Sequence, residues 1–201
     1  MPATRVRRLS PGQLSLGLEA DSIAIRDLLM AQIRRQSPAA RLVPEMGVCQ
    51  GMARIDLAAI GDRLDGYEIK GERDDLSRLA GQAEAYGQVF DRLTLVTSGR
   101  HLRDADESLP EWWGLSVVDV EARAIRPVRL PAANPTRDPH AMVRLLWREE
   151  TVDALVPHLG HRPRTPRAAL WRQLVELTPP DELRDLVCRS LRNRTDWRVA
   201  G

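Results

Sequence analysis

Apolar positions recur first at helical spacing, then at alternate residues, then at helical spacing again. These changes of period set the expected order of elements. Ile25, Leu28, Leu29 and Ile33 form one stripe, which predicts a helix over 22–36 with Asp21 as N-cap and Ser37-Pro38 as its end. Three short strand-like runs follow at 41–49, 54–60 and 64–70, and Gly61-Asp62-Arg63 reads as the hairpin loop between the last two. Leu76, Leu79, Ala80, Ala83, Gly87 and Phe90 fit a second amphipathic helix over 76–90, opened by Asp74 or Asp75. Runs at 93–97 and at 115–120, the latter after Trp112-Trp113, predict two further strands.

Residues 127–139 are rich in proline and read as a linker, after which every pattern is helical. Helices are expected over 140–148 and 151–159. A third is capped by Thr165 with Pro166 at its first position and carries Leu170, Leu174 and Leu177. A fourth follows Thr178-Pro179-Pro180 with Leu183, Leu186, Val187 and Leu191. Residues 1–20 show no periodicity and read as a tail. The expected architecture is α/β: a mixed sheet flanked by helices in the order α-β-β-β-α-β over 21–126, then a helical appendage over 140–201.

Composition changes this picture at one point. Of 30 Lys+Arg residues, Lys70 is the one lysine. Lysine carries a compact charge with an adjustable pKa, whereas arginine is planar and always charged. An amine kept at one place in an arginine-rich chain therefore marks that place. Otherwise the bulk is ordinary: 201 residues, 43% hydrophobic, formal charge +2. Arg5, Arg7 and Arg8 in the tail and the arginines beyond His161 are available to phosphates or to solvent. Cys49 and Cys188 form no CxxC, which suggests a reducing, cytoplasmic setting and argues against zinc. No apolar run approaches a membrane span. His101, His140, His158 and His161 lack ligand spacing and read as surface residues. Trp147 and Trp171 fall on helical stripes and read as core.

Alternation along a strand puts Glu68 and Lys70 on one face and Tyr67 and Ile69 on the other. A three-residue loop, 61–63, pairs Ile60 with Leu64 and sets Asp56 opposite Glu68, with Cβ atoms about 5 Å apart. A two-residue turn pairs Asp56 with Tyr67 instead and separates the carboxylates. Paired carboxylates, water and a phosphate oxygen suit Mg²⁺ or Mn²⁺, and the Ile69 carbonyl is a further possible ligand. Lys70 is placed to orient a metal-bound water or to stabilise transition-state charge. The plainer alternative is a salt-bridged strand pair. On the following helix Arg78, Gln82 and Tyr86 fall in one row. If that helix packs on the hairpin, Gln82 comes to the metal-bound water or the phosphate, and Arg78 and Tyr86 come to the DNA strand.

Asp56, Glu68-Ile69-Lys70 and Gln82-x-x-x-Tyr86 together resemble the PD-(D/E)XK nuclease superfamily, and the Gln-Tyr pair is similar to that of its RecB-like branch. The resemblance covers about 20–120. The run 55–101 and the segment Leu145-Leu146-Trp147-Arg148-Glu149-Glu150 look like a family of small uncharacterised bacterial proteins within that superfamily. The resemblance implies a restriction-endonuclease-like fold and a metal-dependent nuclease. Asp56 and Glu68 would be metal ligands, Lys70 the catalytic lysine, and Gln82 and Tyr86 the accessory pair. Ile55 stands where many members have proline. An earlier acid is common, and Glu45 is the candidate, ahead of Glu19 and Asp21. The leading expectation is therefore a Mg²⁺-dependent deoxyribonuclease. The alternatives are a non-cleaving nucleic-acid-binding or protein-binding module, and a component whose C-terminal helices dock another protein.

Overall fold

The computed structural model describes residues 22–119 and 122–195. The expected tail at 1–20 with Glu19, the Asp21 cap and the Val120 strand end lie outside the described residues. Helix α1 (Ser22–Gln36) leads into β1 (Arg41–Val48), β2 (Ala53–Ile60) and β3 (Leu64–Lys70). Next come α2 (Leu79–Gly87), β4 (Arg92–Thr97), α3 (Leu102–Ser108), β5 (Gly114–Asp119) and β6 (Ala124–Arg129). Four helices close the described chain: α4 (Pro139–Val143), α5 (Arg148–Leu159), α6 (Arg167–Leu177) and α7 (Pro180–Asn193).

The six strands form one mixed sheet in sequential order. β1, β2 and β3 are antiparallel, β3, β4 and β5 are parallel, and β6 returns antiparallel. Parallel neighbours need a crossover, and α2 and α3 supply the two that this sheet requires. β4 is buried along almost its whole length, as a central parallel strand covered on both faces must be.

Each face has its own core. α1 lays Ile25, Leu29 and Ile33 on Leu57, Ala59, Ile69, Val96, Val118 and Ile125. The other face packs against α2 and the C-terminal helices, through Phe90, Leu146, Leu155, Leu170, Leu174, Leu183 and Val187 among others. The helical appendage therefore shares one continuous core with the sheet. The expected linker is also tied down. Asn134 is buried, and its Nδ2 donates to the Gly87 and Phe90 carbonyls, each at 2.6 Å.

Local differences from the expected elements have physical reasons. Pro127 lies inside β6, an edge strand, where a missing N–H is tolerated. α3 buries only Ala105 and so lacks a readable stripe. α2 starts at Leu79, because Asp75 accepts the Ser77 amide at 2.8 Å and spends the preceding residues on a turn. α6 begins at Arg167 with Pro166, not Thr165, at the cap position. α5 begins at Arg148, because the Glu150 carboxylate accepts the Trp147 amide at 2.6 Å. Trp147 is 41% exposed, with the Arg194 guanidinium 4.4 Å from its ring centre, so it is not a core residue. His101 is buried, whereas His140, His158 and His161 are exposed.

Because sheet and helices share one core, urea unfolding is expected to be a single transition for both. Asn134→Ala takes the side-chain donor from the Phe90 carbonyl, while the Gly87 carbonyl keeps Thr136 Oγ1 at 3.2 Å, and should lower stability by about 1–3 kcal/mol. Circular dichroism and tryptophan fluorescence should then shift together. Non-coincident transitions would show an independently folding helical unit.

Candidate active site

The hairpin register decides which side chains can meet. Ile60 pairs with Leu64, and the ladder runs through Ala59–Asp65 and Ala58–Gly66 to Leu57–Tyr67. The loop is therefore three residues long, and its Gly61 amide donates to the Arg63 carbonyl at 3.0 Å. Extended by one step, this register sets Asp56 opposite Glu68. The ladder stops short of that step, since the Asp56 carboxylate takes the place of a backbone partner. Its Oδ2 accepts the Ile69 amide at 2.6 Å.

Glu68 is only 2% exposed. Its Oε1 accepts from Lys70 Nζ at 2.9 Å and from Gln82 Nε2 at 2.7 Å, while its Oε2 is buried without a hydrogen-bond partner. Lys70 is itself buried, and its carbonyl accepts from the Ser98 amide at 3.2 Å and from Thr97 Oγ1 at 3.1 Å. The lysine is thus held from both ends. Removing one member of a buried ion pair generally costs about 3–5 kcal/mol, because the remaining charge is uncompensated.

Helix α2 is fastened to this hairpin by the row read from the sequence. Tyr86 is fully buried, and its hydroxyl donates to the Arg54 carbonyl at 2.6 Å. It also stands edge-on to Phe90, with ring centres 6.3 Å apart. Gln82 Nε2 lies 3.4 Å from the Tyr86 oxygen. The Gln82 amide is oriented by Glu68, since the carboxylate requires a donor. That choice leaves Gln82 Oε1 buried without a donor. Arg78 is exposed at the N-terminal end of α2.

Electrostatics follow from this enclosure. Burial pushes the Asp56 carboxyl up to about 6, the Glu68 and Glu45 charges add to the rise, and the Ile69 amide and Lys70 oppose it. The Tyr86 hydroxyl is pushed up as well, by burial first and then by the Glu68 charge, so it stays protonated as a donor.

These groups line a cleft of about 800 Å³, which opens past Glu45, Asp56, Glu68, Lys70, Arg78 and Gln82. Two expected roles change. Tyr86 is committed to the Arg54 carbonyl and has no surface for a DNA strand, so it anchors α2 instead. Glu45 has both oxygens engaged, by Arg26 at 2.7 Å and by Arg54 at 2.9 Å, so it is not a free metal ligand. Arg54, Asp74 and Arg144 also line the cleft. Arg54 stands two residues from Asp56 on the same strand, a spacing the sequence shows. Arg144 arrives through packing of the C-terminal helices, and no sequence signal marks it.

Among the described residues, no group of three or more His, Cys, Asp or Glu side chains is gathered so as to hold a metal ion. The donors present are nonetheless all oxygen, and Glu68 Oε2 is buried without a proton donor. Mg²⁺ is commonly bound by one or two carboxylates and keeps several waters. Asp56, Glu68 and the Ile69 carbonyl fit that demand.

Fold and site define the class: an α/β protein with a six-stranded mixed sheet, whose central hairpin and crossover helix enclose a carboxylate–lysine–glutamine cluster. The chain belongs to the family of bacteriophage P4 protein cII, whose family model matches residues 22–198. Protein cII of Enterobacteria phage P4 is 37% identical over 57 residues, which cover 28% of this chain and 22% of that protein. The match therefore spans about a fifth of that relative's length. Among solved structures, the SPO1766 protein of unknown function from Silicibacter pomeroyi is similar at 20% identity with a TM-score of 0.41, over 53% of this chain and 69% of that one. Among the described residues, no helix is long and apolar enough to cross a membrane.

The raised Asp56 pKa predicts a pH dependence. An unfolded aspartate titrates at 3.8 and folded Asp56 at about 6, so between these values the folded protein binds more protons than the unfolded chain. Ionising Asp56 therefore lowers stability as pH rises through that window, and the loss is complete above it. Asp56→Asn keeps an acceptor for the Ile69 amide and removes the charge. Allowing for solvent screening of a half-buried group, it should stabilise the fold by about 1–3 kcal/mol at neutral pH. Below pH 3.8 it should have little effect. Urea titrations at both pH values test this, and an equal effect at both would exclude the electrostatic cause.

Proposed function

We propose that the protein is a metal-dependent nuclease of the PD-(D/E)XK class that hydrolyses DNA phosphodiester bonds, acting in the cytoplasm. One observation carries this reading: a buried glutamate, Glu68, shares one oxygen with Lys70 and Gln82 and leaves the other without a donor. Asp56, Glu68 and the Ile69 carbonyl would hold Mg²⁺ or Mn²⁺. When bound, that ion supplies charge neutralisation and a more acidic water. Lys70 Nζ, fixed by Glu68, offers hydrogen bonds to the charge that grows on the phosphate oxygens. Gln82 sets the rotamer of Glu68 and keeps Oε1 available to accept from a water. Tyr86 holds α2, and with it Gln82, at its distance from the sheet. Arg78 at the cleft mouth is a phosphate contact.

A second reading has its own support. With Glu45 engaged by two arginines, and no metal-holding group of three or more His, Cys, Asp or Glu among the described residues, the same cleft suits a module that binds nucleic acid or protein without cutting. The C-terminal helices spend their apolar stripes on the shared core, which leaves their charged outer faces for any protein partner.

The deciding experiment is cleavage of plasmid and single-stranded DNA with Mg²⁺ and with Mn²⁺. Cutting should fall at least about 100-fold in Lys70→Ala and in Asp56→Ala, the scale of losing one transition-state donor or catalytic group. Circular dichroism confirms that the variants fold. DNA binding without cutting, kept or tightened in Asp56→Ala, would establish the binding module instead.

A further inference from the structure

At the mouth of the cleft, Glu45 interrupts β1. It sits opposite Asp56, between the ladder pairs Pro44–Leu57 and Met46–Ile55. Its backbone holds φ 53°, a left-handed conformation uncommon for a non-glycine residue. The interruption also breaks the alternation of both strands: Val43 and Met46, and Ala58 and Ile55, all pack into the core on the α2 side. From this strained position the Glu45 carboxylate meets Arg26 Nη1 from α1 at 2.7 Å and Arg54 Nε from β2 at 2.9 Å. Unusual backbone at one residue, one anion and two guanidinium groups make a built arrangement rather than a chance surface pair.

The chemistry of that arrangement is that of a phosphate seat. Arginine forks bind carboxylate and phosphate oxygens in the same way, through charge-assisted hydrogen bonds. Glu45 is 34%, Arg54 58% and Arg26 23% exposed, and ion pairs that solvent reaches are weak enough to exchange. Around them the cleft carries both signs, with Asp74 and Glu84 beside two further arginines. Arg78 and Arg144 line the same cleft, and neither has a salt bridge to any carboxylate among the described residues. They come from different segments, the start of α2 and the end of α4, so a strand crossing the cleft would meet cations from three parts of the fold.

We propose that Arg26 and Arg54 form a seat for a nucleic-acid backbone phosphate, which Glu45 occupies as an internal substitute until DNA displaces it. Arg78 and Arg144 continue the phosphate track across the cleft. This rests on the nucleic-acid reading of the same cleft and adds the residues that admit the strand. Displacement frees Glu45 beside Asp56 only when a phosphate has taken its arginines, so the exchange couples strand entry to a change in charge at the acidic floor.

The test is binding of short fluorescein-labelled single-stranded and duplex DNA, followed by anisotropy in EDTA so that no cleavage intervenes. Glu45→Gln should tighten binding about threefold, the scale of an exposed ion pair. Arg54→Ala and Arg144→Ala should weaken it, each reducing the salt dependence by about one phosphate contact. The decisive comparison is Glu45→Gln within Arg26→Gln/Arg54→Ala, where its effect should vanish because the contested groups are gone. Equal tightening in that background means simple repulsion of phosphate by Glu45 and overturns the seat. So does unchanged binding in Glu45→Gln or in Arg54→Ala, or no binding at all. Arg54→Ala is read alone if the Arg26 variant does not fold. Cleavage assays on the same proteins separate the two questions: intact cutting with any overturning result removes the seat alone, and the expected binding pattern without cutting removes the nuclease alone.

Discussion

The buried Glu68 carboxylate is the constraint on which this structure turns. A charge in that position is tolerated only if it is paired and hydrogen-bonded, and both conditions draw on different elements. Lys70 comes from the same face of β3, and Gln82 comes across from α2. The crossover helix is thereby set against the antiparallel hairpin at a fixed height, and the Tyr86 bond to the Arg54 carbonyl closes the same clamp from the other strand. One oxygen of Glu68 satisfies these structural demands and the other is left over. The polar network that orients the helix therefore also creates the unsatisfied group from which a functional reading starts.

Around that clamp the two faces of the sheet do different work. α1 closes one face with a simple aliphatic stripe. The other face is closed jointly by α2 and the C-terminal helices, and Asn134 stitches the intervening segment to the end of α2. This joint closure brings Arg144, from a part of the chain that reads as an appendage, to the rim of a cleft whose floor comes from β2 and β3. An acidic floor under a cationic rim is the charge arrangement that a phosphate backbone and a divalent cation would share. Burial first, and the Glu68 charge after it, shift Asp56 upward against the amide and the lysine that oppose them.

Much of this is legible in the sequence, because it depends on local periodicity. The three-residue loop 61–63 sets the register, and the alternation of β3 puts Glu68 and Lys70 together. The four-residue spacing on α2 puts Gln82 and Tyr86 in one row. α1 shows its bounds through its stripe and the Ser37-Pro38 stop. What the sequence leaves open depends on neighbours distant along the chain. Glu45 looks like any acid near a site until Arg26 and Arg54 converge on it. Tyr86 looks available until the Arg54 carbonyl takes its hydroxyl. Trp147 looks like core until its ring proves to lie at the surface under Arg194. His101 looks like a surface residue, yet the fold buries it.

The sequence by itself determined which residues share a strand face or a helix row, since the backbone period converts spacing into direction without help from the rest of the chain. It therefore determined the order α-β-β-β-α-β and the membership of the acidic–lysine–glutamine cluster. Tertiary structure alone decided which members are free to act. Burial, pairing and desolvation depend on what the rest of the chain brings alongside, and that is where Glu68 kept an open oxygen while Glu45 and Tyr86 were already engaged.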